Sequence, residues 1–227
     1  MTPSTTTHVR INTGLLARLE KRVVVWIAAR LPSWVTSDHL TALALAAMAA
    51  AAGAFWVARY APCALAGVVV ALAVNWFGDS LDGTLARVRR HERPRYGFYV
   101  DHVLDIVGTT LLLGGLALSG YMTPLVAAGV LIVYLLVAAE VFLATAVGRA
   151  FRMSFLAVGP TELRILLSAG ALTLLVRPEV SILGLGPFLL FDVGGVVAIP
   201  LLLAALATSA VRTTRALYRA EPLRQAA

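Results

Sequence analysis

The sequence predicts an all-α polytopic membrane protein with six transmembrane helices and an N-terminal interfacial amphipathic helix. Three observations carry that expectation. Of 227 residues, 59% are hydrophobic and 14% charged, whereas about a quarter of a soluble domain is charged. Six apolar stretches approach the roughly 20 residues a helix needs to cross a ~30 Å hydrocarbon layer. The basic residues then sort as those crossings demand. With a cytoplasmic N-terminus, all 19 Lys and Arg residues except Arg59 and Arg177 fall on one side. That is the positive-inside bias, and it fits an even number of crossings with both termini cytoplasmic. The same sorting makes nucleic acid an unneeded explanation of the formal charge of +7.

Residues 1–35 form a cytoplasmic arm. Its first 14 residues are polar and Thr-rich, and no short apolar segment with a small-residue cleavage site follows, so no signal peptide is expected. Over 11–30, Ile11, Leu15, Leu19, Val23 and Ile27 recur near helical spacing while Arg18, Lys21 and Arg22 take other faces, the pattern of an amphipathic helix. Its basic side and Trp26 suit the headgroup layer, where apolar burial and attraction to anionic lipid act together; a helix packed on protein alone is the alternative. Pro32 closes it.

The transmembrane domain occupies 36–211, with crossings expected at 38–58, 63–81, 98–118, 124–147, 162–176 and 188–209, the fifth of them short. Outer links are brief, at 59–62 and 119–123. The inner links at 84–97 and 148–161 are basic, a loop bearing Pro and Gly joins the last two crossings at 177–187, and residues 212–227 form a basic tail. Cys63 is the one cysteine, so neither an intrachain disulfide nor a cysteine zinc cluster can form.

Four carboxylates meet at one membrane face. Asp79 and Asp82 close the second crossing, three residues apart, and Asp101 and Asp105 open the third, four apart. Each pair therefore lies on one side of its helix. Antiparallel neighbours joined by an inner loop bring the pairs together. Clustered acids in or near hydrocarbon are costly and repel one another, and a hard divalent cation with oxygen ligands, Mg²⁺ or Mn²⁺, is the natural compensation. Separate pairing of each acid with loop arginines is the other. Gly83 and Ala86 keep the same helix face low, so a bulky anion can approach the backbone, and Arg87 one turn on can hold a phosphate by two parallel hydrogen bonds.

The run Asp79-xx-Asp82-Gly83-xx-Ala86-Arg87, nine residues, then Gly97-xxx-Asp101-xxx-Asp105 resembles the signature of the CDP-alcohol phosphatidyltransferase family at all of its defining positions. The likeness covers residues 79–105. Thr36-Ser37-Asp38-His39-Leu40-Thr41 also stands where such proteins often carry a Thr-Pro-Asn-x-x-Thr stretch, but Ser37 and Asp38 depart from it. The resemblance implies a six-helix homodimer in the bacterial inner (plasma) membrane, with an active site that opens to the cytoplasm and holds two Mg²⁺ or Mn²⁺ ions. A phospholipid-synthesis reaction would follow, in which a CDP-alcohol donor passes a substituted phosphoryl group to a lipid or polar alcohol acceptor and CMP leaves. It assigns Asp79, Asp82 and Asp101 to metal, shares Asp105 between metal and general base, gives Gly83, Ala86 and Arg87 the nucleotide phosphates, and lets α-helical neighbours approach closely at Gly97. Asp101-His102-xx-Asp105 resembles the choline and ethanolamine phosphotransferase branch, so His102 competes with Asp105 as base and a CDP-aminoalcohol with diacylglycerol is the favoured pair. CDP-diacylglycerol with glycerol phosphate, inositol phosphate or serine is the alternative.

The remaining polar residues have two readings each. Arg149, Arg152 and Arg164 either bind an acceptor or lipid phosphate or serve as positive-inside anchors. Glu162 favours a helix N-terminus or touches substrate. Glu140, mid-span, needs a protein partner. His8, His39 and His91 lack metal-ligand spacing. A divalent-cation or proton-coupled transporter is the hypothesis from another class, but it calls for a midplane site in two related halves, and no second half echoes these acids.

Overall fold

Hydrocarbon offers no water to backbone amides, so long apolar runs satisfy themselves as helices. The structure, a computed structural model, describes residues 9–11, 17–147, 150–152, 160–182 and 184–221. In chain order its elements are β1 (Val9–Ile11), α1 (Ala17–Ala28), α2 (Ser37–Ala58), α3 (Ala64–Arg89), α4 (Pro94–Ser119), α5 (Pro124–Val147), β2 (Ala150–Arg152), α6 (Pro160–Leu174), β3 (Glu179–Ile182), β4 (Leu185–Leu189) and α7 (Leu190–Ala220).

Among the described residues five helices, α2, α3, α4, α5 and α7, are long and apolar enough to cross a membrane. The expected fifth crossing is α6, whose 15 residues rise about 22 Å at 1.5 Å per residue, short of a ~30 Å layer. The chain is not purely helical. β1 and β2 pair in parallel, Val9 opposite Ala150, and β3 and β4 form an antiparallel hairpin with a register shift between Val180 and Ile182. β-branched Val180 and Ile182 favour extended backbone in what reads from the sequence as a loop because of Gly184, Gly186 and Pro187. Ile11 likewise sits in β1, and the described part of the helix expected over 11–30 is α1, Ala17–Ala28; Leu15 lies outside the described residues.

Three helices extend past their expected bounds. α3 continues to Arg89 and α4 starts at Pro94, which shrinks the inner link from 84–97 to 90–93, and α7 carries Arg212, Arg215 and Arg219 of the supposed tail. Local chemistry fixes the starts. Thr36 and His39 form a reciprocal capping box at α2, satisfying two otherwise unpaired amides and giving His39 a structural task. Pro94 stands in the first turn of α4, where its missing N–H costs nothing. Asp192, in the first turn of α7, accepts from the Thr123 amide at 2.7 Å and its hydroxyl at 2.5 Å, tying α7 to the start of α5.

α2 is the shared core helix, packed on α3 and α4, while α5 packs chiefly on α7 and α6 lies on α3. Phe55, Leu65, Val68, Leu72 and Leu116 are fully enclosed there. Membrane helices approach most closely over small residues. A Cβ on Gly78 would lie 2.6 Å from the Leu40 carbonyl oxygen of α2, and one on Gly115 would run into the Ala52 backbone.

α1 uses part of its apolar face on protein. Val24 and Ala28 bury against Leu81 and Leu85 of α3, with Val35 and Leu40, whereas Val23, Val25 and Trp26 stay exposed and Arg30 lies over the Trp26 ring at 4.1 Å. The link to α2 is clasped by Arg89. Its Nη2 donates to the Leu31 and Pro32 carbonyls at 2.9 and 2.8 Å, and its Nη1 donates to Val35 and, at 3.4 Å, to Ser33. Hydrogen bonds to a charged group contribute about 1.5–3 kcal/mol. Arg89→Ala should therefore lower stability by about 2 kcal/mol and open residues 29–36 to protease; an unchanged melting temperature and cleavage pattern would show that the clasp carries no weight.

Candidate functional site

α3 ends and α4 begins within a four-residue link, so the acidic pairs are forced side by side. Oxygens of Asp79, Asp101 and Asp105 all lie within 4.8 Å of one another, and each residue is half-buried. These are hard ligands of the kind Mg²⁺ and Mn²⁺ prefer, and their spacing could hold one.

Asp82 lies outside that group of three. It turns toward α2, where its Oδ2 accepts from the Thr41 hydroxyl at 2.8 Å and its Oδ1 from the Gly83 amide at 2.5 Å. Ser37 also donates to the Asp82 backbone carbonyl at 2.7 Å. Asp79 and Asp101 nevertheless remain close enough to act on it electrostatically. Thus Thr41 anchors the fourth carboxylate and Ser37 the backbone that carries it, both from the stretch that opens α2.

The charge on Asp79 has a counterpart that its neighbours in sequence do not supply. Arg164 of α6 donates from Nη2 to Asp79 Oδ2 at 2.5 Å and from Nε to Asn75 Oδ1 at 2.7 Å. Asn75, one turn before Asp79, is itself buried and donates to the Ala44 carbonyl of α2 at 3.0 Å. The pairing of an Asp with an arginine foreseen from the sequence therefore holds for this residue, with the arginine drawn from α6. Tyr134 of α5 shares a hydrogen bond with Thr109 and stands within electrostatic reach of Asp105, Asp79 and Arg164. A lone polar residue in an apolar run, as Asn75 and Tyr134 are, was the available sequence signal for both.

Arg87 is exposed at the end of α3 and donates to the Thr84 hydroxyl at 3.0 Å. A Cβ on Gly83 would meet only the Arg87 guanidinium, at 3.6 Å, so the helix face between them is low, with half-buried Ala86 one turn on. Gly97 differs from its expected role: a Cβ there would meet nothing within 4 Å, so no helix presses on it. His102 is buried, its ring stacked on Phe98 at 4.2 Å and edge-on to Phe142 at 5.1 Å. Its Nδ1 lies 2.7 Å from the Phe98 carbonyl oxygen and 3.7 Å from Asp101 Oδ2.

Other singled-out residues have partners or positions of their own. Glu140 meets Thr213 of α7 at 3.5 Å, a partner at the limit of a hydrogen bond. Glu162 occupies the first turn of α6, where a negative charge suits the helix dipole. Asp38 holds Arg93 at 2.6 and 2.7 Å, and that carboxylate pushes the exposed guanidinium's pKa up from its ordinary value. His8, Arg149 and Arg224, and the side chains of Arg10, Arg18 and Arg152, lie outside the described residues. Set against known protein families and curated proteins, the chain matches none.

Proposed function

We propose that this protein is an integral membrane enzyme of the CDP-alcohol phosphatidyltransferase kind, transferring a substituted phosphoryl group from a CDP-alcohol to an alcohol with release of CMP. The observation that carries the reading is the convergence of Asp79, Asp101 and Asp105 beside a low helix face that ends in Arg87. α6 serves as the short fifth crossing, which brings the count to six. The basic residues then place both termini and the carboxylates on the cytoplasmic side, where a soluble or membrane-bound nucleotide donor is reached, and a second copy of the chain completes a dimer.

Asp79, Asp101 and Asp105 would hold divalent ions, with Asp82, fixed by Thr41, as the fourth carboxylate. When bound, two Mg²⁺ or Mn²⁺ ions would supply Lewis acidity and charge neutralisation for the donor pyrophosphate. Arg87, above Gly83 and Ala86, holds a nucleotide phosphate through its planar fork. Asp105 accepts the proton of the acceptor hydroxyl as the new oxygen–phosphorus bond forms and the bond to CMP breaks. His102, stacked and bonded within its own helix, positions the start of α4. Its place between Asp101 and Asp105 keeps a CDP-aminoalcohol with diacylglycerol as the favoured pair and CDP-diacylglycerol with a polar alcohol as the second.

The test is CMP release by the purified protein with Mn²⁺ or Mg²⁺, offered both substrate pairs in parallel. Turnover in one panel that EDTA abolishes supports the reading and selects the branch; silence in both rejects it. Arg87→Ala should raise the KM for donor roughly tenfold or more, since a charged hydrogen bond to phosphate contributes about 1.5–3 kcal/mol. An unaltered donor KM would remove Arg87 from the nucleotide.

A further inference from the structure

We propose that Arg164 is a tethered counter-ion of the carboxylate group, a positioning residue that competes with a divalent cation for Asp79 Oδ2 and so couples cation binding to the attachment of α6. The inference rests on the reading of the carboxylates as cation ligands given above. Its basis is a relay of three hydrogen bonds from the Ala44 carbonyl of α2 through Asn75 to Arg164 and on to Asp79, at 3.0, 2.7 and 2.5 Å.

Each link has a distinct part. Asn75 and Asp79 stand four residues apart on α3, so one guanidinium can span both. The Nη2 donor takes up one oxygen of Asp79, a member of the carboxylate group, and it does so where the Arg164 and Asp79 side chains are only 15% and 16% exposed. Such a bond is charge-assisted and strong. The Nε contact goes to a neutral amide that is itself anchored to backbone, so it survives when Nη2 lets go of Asp79. The released guanidinium keeps its charge, so the bond to Asn75 offsets only part of the cost of a buried cation. Arg164 also places a positive charge beside three mutually repelling carboxylates, lowering the affinity of the group for any further cation. α6 meets this centre through α3, and Arg164 is a polar link between them. Displacing Nη2 loosens one of its two ties.

A permanent salt bridge and a competing one predict opposite results. Mn²⁺ binding to the purified full chain in detergent, read by electron paramagnetic resonance of free Mn²⁺, distinguishes them without any need for turnover. Arg164→Gln should tighten Mn²⁺ roughly tenfold through loss of the competing charge. Arg164→Lys keeps the charge but cannot span Asn75 and Asp79 together, and should tighten it roughly threefold. The cation-induced rise in melting temperature should be larger in Arg164→Gln than in the unaltered protein, because the variant's carboxylates repel without a counter-ion. If Arg164→Gln does not fold, the Lys variant decides by itself. Wild-type Mn²⁺ binding with unchanged or weaker binding in the folded variants would overturn the competition and leave the cation site standing. Absence of Mn²⁺ binding in the wild type and in every variant would instead reject the cation reading, and this inference with it.

Discussion

Asp101→Asn is expected to lower CMP release by roughly 10³-fold, on the order of 4 kcal/mol of lost transition-state stabilisation, while the protein still folds. Asparagine keeps the shape of the side chain and removes the charge. Three carboxylates whose oxygens lie within 4.8 Å repel one another, so deleting one charge should leave the fold unharmed or slightly more stable. The same deletion removes an anionic ligand from a group that has few to spare. The measurement is turnover at saturating Mn²⁺ beside elution profile and helical content in detergent. Glu140→Gln, whose carboxylate meets Thr213 on α7, is the control and should retain activity. Near-normal turnover of a folded Asp101→Asn would take the group out of the chemistry altogether.

Gly115→Ala should produce the largest loss of stability of any single methyl group added to the described helices. The added Cβ collides with the Ala52 backbone, and backbone within a helix cannot rotate aside as a side chain can. Overpacking of this kind costs about 1–3 kcal/mol, and a contact with main chain belongs at the upper end. Gly114→Ala, one residue away and facing open space, should be neutral or gain roughly 0.5–1 kcal/mol from better helix propensity. Thermal melting of the two variants side by side checks the contrast. Equal melting temperatures would mean that α2 and α4 separate at little cost. Because α4 carries Asp101 and Asp105, a displaced α4 should also reduce turnover in Gly115→Ala.

The apolar runs made α2 and α5 legible nearly to the residue, since hydropathy alone decides where such helices lie. It failed where polarity rises while helix persists. α3 goes on through Asp79, Asp82 and Arg87 because Leu81 and Leu85 still bury against Val24 and Ala28, a fact of tertiary packing that mean hydropathy does not carry. The hairpin at 179–189 was hidden for the converse reason, because Gly184 at the turn and Gly186 and Pro187 within β4 all read as breakers. At the site, the convergence of Asp79, Asp101 and Asp105 followed from helical spacing and an inner link between antiparallel neighbours. The diversion of Asp82 to Thr41 and the capture of Asp79 by Arg164 did not, for those partners are 41 and 85 residues away in sequence. His102 read as a competitor of Asp105 for the general base because Phe142, which closes over its ring beside Phe98 of its own helix, belongs to α5.

The sharing of α2 between α3 and α4 divides the protein in a way that bears on its adaptability. All four carboxylates, and the Thr41 that anchors one of them, belong to the three helices locked together at Gly78 and Gly115. Tyr134 and Arg164 come from outside that trio. Sequence drift in α5, α6 and α7 can therefore retune the neighbourhood of the acids without moving them. A lineage could change what it accepts in the second group of helices while the first is inherited intact.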